Sequence, residues 1–153
     1  MLSHPWYAFL VIAHILSAVV GFGALGMSGS YARLARVSAD PFAAPGIRRY
    51  FRPGTNVAAR ALYLVPVFGG IALGFSGDVR KIFPYLGFAL WVIATGIATG
   101  MLWPAERSMQ RLIASGVEDR EELRRLAIRC ERAAMYTTLC FIVALGVMVA
   151  QPS

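Results

Sequence analysis

The sequence predicts an all-α integral membrane fold: a four-transmembrane-helix bundle with a cytoplasmic helical hairpin extension. Three observations predict it. The 153-residue chain is 58% hydrophobic with a mean hydropathy of +0.60, too apolar for an ordinary soluble domain. Four apolar stretches, at about 6–30, 61–77, 82–103 and 133–150, contain no Asp, Glu, Lys or Arg, and the longer ones match a hydrocarbon core about 30 Å thick. The arginines are confined between those stretches. At this length the chain is one transmembrane domain, residues 1–153.

The chain opens with Ser3-His4-Pro5, a polar cap with proline in the first turn, which reads as a helix start. No basic segment precedes the first apolar run and no small-residue cleavage site follows it, so no cleaved signal peptide is expected. Trp6 and Tyr7 then fall where an interfacial aromatic belt would lie. In the first span, steps of three and four place His14, Ser17, Gly21, Ala24 and Ser28 on one small-residue face. Phe9, Ile12, Leu16, Val20 and Leu25 form the opposite face, which suits lipid.

Residues 37–56 carry Pro41, Pro45 and Pro53 and read as a polar connection with at most a short helix. Within it, Ile47-Arg48-Arg49-Tyr50-Phe51-Arg52 is a basic-aromatic cluster suited to the lipid headgroup level. The second span holds Pro66, a source of a kink, and Gly70-x-x-x-Gly74. Asp78, Arg80 and Lys81 make a short turn into the third span, where Gly96-x-x-x-Gly100 lies beside Thr95 and Thr99. Pro104 ends or kinks that span, and Glu106 to Ala114 continues as a polar helix closed by Gly116. Glu118 to Arg132 reads as a charged amphipathic helix, with Glu121 four residues before Arg125, running unbroken into the fourth span.

The basic residues set the orientation. Arg33, Arg36, Arg48, Arg49, Arg52 and Arg60 lie between spans one and two. Arg107, Arg111, Arg120, Arg124, Arg125, Arg129 and Arg132 lie between spans three and four, whereas the short turn has only Arg80 and Lys81. Both long connections are therefore expected in the cytoplasm and both termini outside, periplasmic or extracellular, in a bacterial inner (plasma) membrane. A net charge of +7 distributed in this way reports topology, so no nucleic-acid partner is expected. Cys130 and Cys140 lie about 15 Å apart along one helix, too far for a disulfide; both read as packing residues.

His14 is the candidate site residue, for cofactor and metal alike. It lies about 12 Å inward from Trp6, at a depth facing Gly70–Gly74, Trp91–Thr95 and Ala144. An ionisable residue at that depth is a functional candidate by default. A neutral imidazole there can ligate haem iron or another metal, move protons, or hydrogen-bond Thr95 or a carbonyl as a structural residue. His4 is about 15 Å away along the same helix and reads as an interfacial residue. A second axial ligand would be a histidine of another subunit, or a methionine or tyrosine, Met148 being the nearest candidate on span four. The glycine pairs read first as packing faces and alternatively as a slot for a flat cofactor or a lipid. No CxxC, phosphate loop or catalytic triad accompanies them.

With AHILSAVVGFG in span one, VPVFGGIALG in span two and VMVAQP after span four, the chain resembles an uncharacterised family of four-helix predicted integral membrane proteins. That family is distantly similar to CopD-type copper-resistance membrane domains and to HemJ-type protoporphyrinogen IX oxidase. The HemJ-type resemblance implies that His14 matches a span-one histidine associated with haem. The lysine expected within span three of a HemJ-type protein is missing here, where Lys81 precedes the span.

Together these readings lead to a small, non-catalytic membrane subunit or homo-oligomer, a part of a larger membrane complex, binding haem b through His14. The alternatives are a HemJ-like porphyrinogen-oxidising or other redox enzyme, and a structural accessory subunit binding lipid or pigment.

Overall fold

The computed structural model describes residues 5–52, 54 and 56–151, and every regular element among them is helical. The elements are α1 (Pro5–Val37), α2 (Pro45–Tyr50), a 3-10 segment (Val57–Tyr63) leading into α3 (Leu64–Ser76), a 3-10 turn (Asp78–Arg80), α4 (Phe83–Ile97), a π segment (Ala98–Leu102) leading into α5 (Trp103–Ser115), and α6 (Arg120–Ala150). Four helical stretches among the described residues, Pro5–Val37, Val57–Ser76, Phe83–Ser115 and Arg120–Ala150, are long and apolar enough to cross a membrane. Ser3 and His4 lie outside the described residues.

Local chemistry accounts for the helix ends. Gly77 and Gly116 take left-handed φ values of 73° and 71° at the ends of α3 and α5, a conformation that carries no Cβ penalty in glycine. The carboxylate of Asp119 caps α6 by accepting the Glu122 N–H at 3.0 Å. The charged helix and the fourth apolar stretch form one uninterrupted helix of 31 residues, as the periodicity predicts. Glu121 and Arg125 pair across one turn of it.

Pro104 neither ends nor simply kinks the third span. It lacks the N–H that would bond the Gly100 carbonyl, and its ring crowds the preceding turn. The chain relieves this with the wider π turn over Ala98–Leu102, closed by the Trp103 N–H on the Ala98 carbonyl. Helical structure then continues through Ser115.

α1 packs against both α3 and α6, and α4 packs against α6, while α3 and α4 scarcely touch. The core gathers toward the arginine-rich end. Leu25, Ile47, Phe51, Leu62, Leu102, Met109, Leu123 and Cys130 are all essentially inaccessible there. The apolar half of the α2 cluster is docked: Ile47 and Phe51 are buried, and Tyr50 stacks on Tyr31 with ring centroids 4.0 Å apart. Arg48 and Arg49 stay exposed.

Two expectations about faces are corrected. Leu25 does not join the lipid-type face with Phe9, Ile12, Leu16 and Val20; those four are exposed, but Leu25 is completely buried. The glycine pairs are not the packing faces within this chain. A Cβ built on Gly70, Gly74, Gly96 or Gly100 would meet nothing within 4 Å. Close approach occurs instead at Gly21 against the Leu62 backbone (2.7 Å), and at Gly29 and Gly87 against the Ala134 and Met148 side chains. The small face of α1 does serve as a contact face, with Ser17, Gly21 and Ser28 buried.

Candidate functional site

His14 is half-buried on α1 and faces α3. Its Nδ1 lies 2.8 Å from the carbonyl oxygen of Val65. A carbonyl only accepts, so Nδ1–H is the donor in this bond, and in the neutral tautomer Nε2 is the ring nitrogen with a free lone pair. The ring rests on Gly69, where a Cβ would stand 2.8 Å from both Cε1 and Nδ1. Of the two hydrogen-bond partners open from sequence, Thr95 or a carbonyl, the carbonyl is the one present. Thr95 takes no part, and its buried hydroxyl oxygen has no hydrogen-bond partner among the described residues. The expected neighbours Gly70 and Gly74 are replaced by Gly69, one residue earlier, because their side of α3 faces open space. The methyl of Met148 seats over Gly87 of α4, which accounts for that residue as a packing contact.

A second cluster lies at the arginine-rich end, and sequence reasoning missed it. Pro66 cannot donate to the Leu62 carbonyl, and that oxygen accepts the Trp91 indole N–H at 2.8 Å. This bond ties α4 to the entry of the second span. Just upstream, Asn56 uses its side-chain amide in two directions. Nδ2 donates to Ser28 Oγ at 2.8 Å, and to Glu106 at 2.8 Å (Oε1) and 3.1 Å (Oε2). Ser28 Oγ also lies 2.8 Å from the Tyr50 hydroxyl and donates to the Ala24 carbonyl at 3.3 Å. Residues from α1, α2, the connection after it and α5 therefore meet in one polar chain: Ser28, Tyr50, Asn56 and Glu106.

Glu106 is 3% exposed and has no ion-pair partner among the described residues. A buried carboxylate is normally paired or richly hydrogen-bonded, so its position beside a cleft is a functional lead. That cleft, about 310 Å³, is lined by Asn56, Arg60, Tyr63, Trp103, Glu106 and Arg107 among others. At the far end of the chain, burial pushes the Tyr50 phenol up to about 12, opposed by the Ser28 hydrogen bond and reinforced by the negative charge of Glu106.

The signal for Glu106 is present in the sequence. Leu102, Ala105, Met109 and Ile113 recur at helical spacing, and Glu106 sits inside that apolar stripe rather than opposite it. The π turn one step earlier, a feature frequent at functional sites, reinforces the assignment. No group of three or more His, Cys, Asp or Glu suited to a metal ion occurs among the described residues. Cys130 and Cys140 are both free thiols.

No family model matches the chain, and no curated protein or solved structure matches it either.

Proposed function

We propose that this chain is an integral membrane protein that crosses a bacterial inner membrane four times, with the arginine-rich end in the cytoplasm and both termini outside. It acts as a non-catalytic subunit or homo-oligomer and carries b-type haem on His14. The bilayer reading is supported by the continuous exposure of large apolar side chains on all four long helices, among them Phe9, Ile12, Phe75, Phe88, Leu139 and Ile142. Contiguous apolar surface on that scale marks a membrane or partner contact.

One observation carries the haem reading: the bond from His14 Nδ1 to the Val65 carbonyl. A metal-ligating histidine usually donates its second ring N–H to a carbonyl or carboxylate, which fixes the tautomer and the ring orientation. His14 has that anchor, and Gly69 gives the ring its seat. Haem held there would supply one-electron chemistry; the protein supplies the nitrogen, its orientation and an apolar surround.

The test is an absorption spectrum of the purified protein, reconstituted with haem. A Soret band that disappears in His14→Ala is expected. A folded wild type that stays colourless with added haem overturns the cofactor, and a band that survives in His14→Ala overturns the ligand. Release of the protein from membranes by alkaline carbonate would overturn the bilayer reading. A second reading, an accessory subunit that binds lipid, is favoured by the cleft beside Glu106, which joins a buried carboxylate to exposed arginines.

A further inference from the structure

We infer that the cleft beside Glu106 binds the headgroup of a phosphatidylethanolamine-type lipid, with its ammonium on Glu106 and its phosphate on Arg60 and Arg107; the inference rests on the lipid-binding reading. The cleft has opposite charges at two depths. Glu106 is buried, with both carboxylate oxygens turned to the Asn56 amide. Arg60 and Arg107 line the same space, are exposed, and form no ion pair among the described residues.

A simple anion entering the cleft would meet the carboxylate, and a simple cation would pass two guanidinium groups. The complementary molecule has an N–H-bearing cation pointing inward and an anion a short distance behind it. A carboxylate offers about four lone-pair positions, and one amide N–H shared between the two oxygens leaves positions for an ammonium. The guanidinium fork suits phosphate. The volume, about 310 Å³, falls at the small end of ordinary ligand sites, roughly 300–1,000 Å³.

The position of the cleft selects a lipid over a soluble zwitterion. Arg60 borders the start of the second apolar stretch, and Arg107 follows the end of the third. Between them the rings of Tyr63 and Trp103, 5.9 Å apart, form a wall. Amphipathic aromatics beside arginines are the usual furnishing of the headgroup level. Ethanolamine also differs from choline where it matters here. Its primary ammonium donates three hydrogen bonds, whereas a trimethylammonium donates none.

The experiment uses the full-length protein in detergent, with native mass spectrometry and thermal unfolding in the presence of phosphatidylethanolamine, phosphatidylcholine or phosphatidylglycerol of identical acyl chains. Free phosphoethanolamine is added in a separate arm. Retention of the ethanolamine lipid about tenfold tighter than the other two is expected, the effect of one good charge-assisted hydrogen bond. Glu106→Gln should erase the preference over the choline lipid. Should that variant fail to fold, the exposed pair Arg60→Gln and Arg107→Gln carries the test and should weaken ethanolamine-lipid retention by about tenfold.

Equal retention of all three lipids overturns the headgroup assignment and leaves the lipid-binding reading standing; retention of none removes both. A preference that survives Glu106→Gln overturns the proposal. So does binding of free phosphoethanolamine without binding of its lipid.

Discussion

Asn56 stands between Ser28 and Glu106, 2.8 Å from each, and its amide nitrogen gives one hydrogen to α1 and the other to α5. Removing it strands a buried carboxylate. Asn56→Ala is therefore expected to destabilise the protein by about 1–3 kcal/mol, the cost of a buried acceptor left without its donor. Replacing both ends, Asn56→Leu together with Glu106→Met, should cost less than Asn56→Ala alone, because no polar group is then stranded. Thermal unfolding of the three variants in one detergent checks the order. An unchanged midpoint for Asn56→Ala would show that the bond contributes nothing.

The glycines divide into two groups that sequence spacing does not distinguish. A Cβ on Gly29 meets the Ala134 methyl, and a Cβ on Gly69 meets the His14 ring at 2.8 Å. Gly29→Ala and Gly69→Ala should each cost about 1–3 kcal/mol through overpacking. Gly70→Ala and Gly96→Ala point into open space. They should be neutral or stabilising by a few tenths to about 1 kcal/mol, since alanine is the better helix former. Denaturant unfolding of the four variants decides it. A large loss at Gly70 or Gly96 would mean that another molecule packs there.

This division also explains what could be read from the sequence and what could not. The order of the long helices was legible, because charge placement, apolar length and Gly116 each act locally; the Asp119 cap and the π turn before Pro104 went unpredicted. Which face meets which neighbour was not legible. Leu25 lies on the same helix as Val20 and looks equally suited to lipid, yet it is buried by the crossing of other helices. The partner of His14 is a backbone carbonyl, and any residue type carries one, so no side chain announces it. Glu106 was legible in principle from the Leu102, Ala105 and Met109 spacing. Its significance depends on Asn56, fifty residues away, which only the fold brings to it.

Tyr50 gives the protein an alkaline dependence. Its phenol is pushed from 10.0 up to about 12 by burial, so the folded state keeps the proton that the unfolded chain loses first. The stabilisation is complete below pH 10 and is lost as pH rises from 10 towards 12. Tyr50→Phe should be less stable at neutral pH, having lost the Ser28 bond, but should show a shallower decline across that window. Parallel pH-stability curves for the two proteins would overturn the assignment.

Topology has a direct chemical check. In the proposed orientation the connections that hold thirteen arginines (six, then seven) lie in the cytoplasm, as the positive-inside rule predicts. Gln151, just beyond α6, and Ser115, at the end of α5, are both exposed. They should therefore lie on opposite sides of the membrane. In a chain with Cys130 and Cys140 replaced by alanine, Gln151→Cys should react with an impermeant maleimide on intact cells or spheroplasts. Ser115→Cys should react only after lysis. The opposite pattern would invert the proposed orientation. Reaction of both positions before lysis would contradict a membrane barrier between them, and the four-span reading would fail.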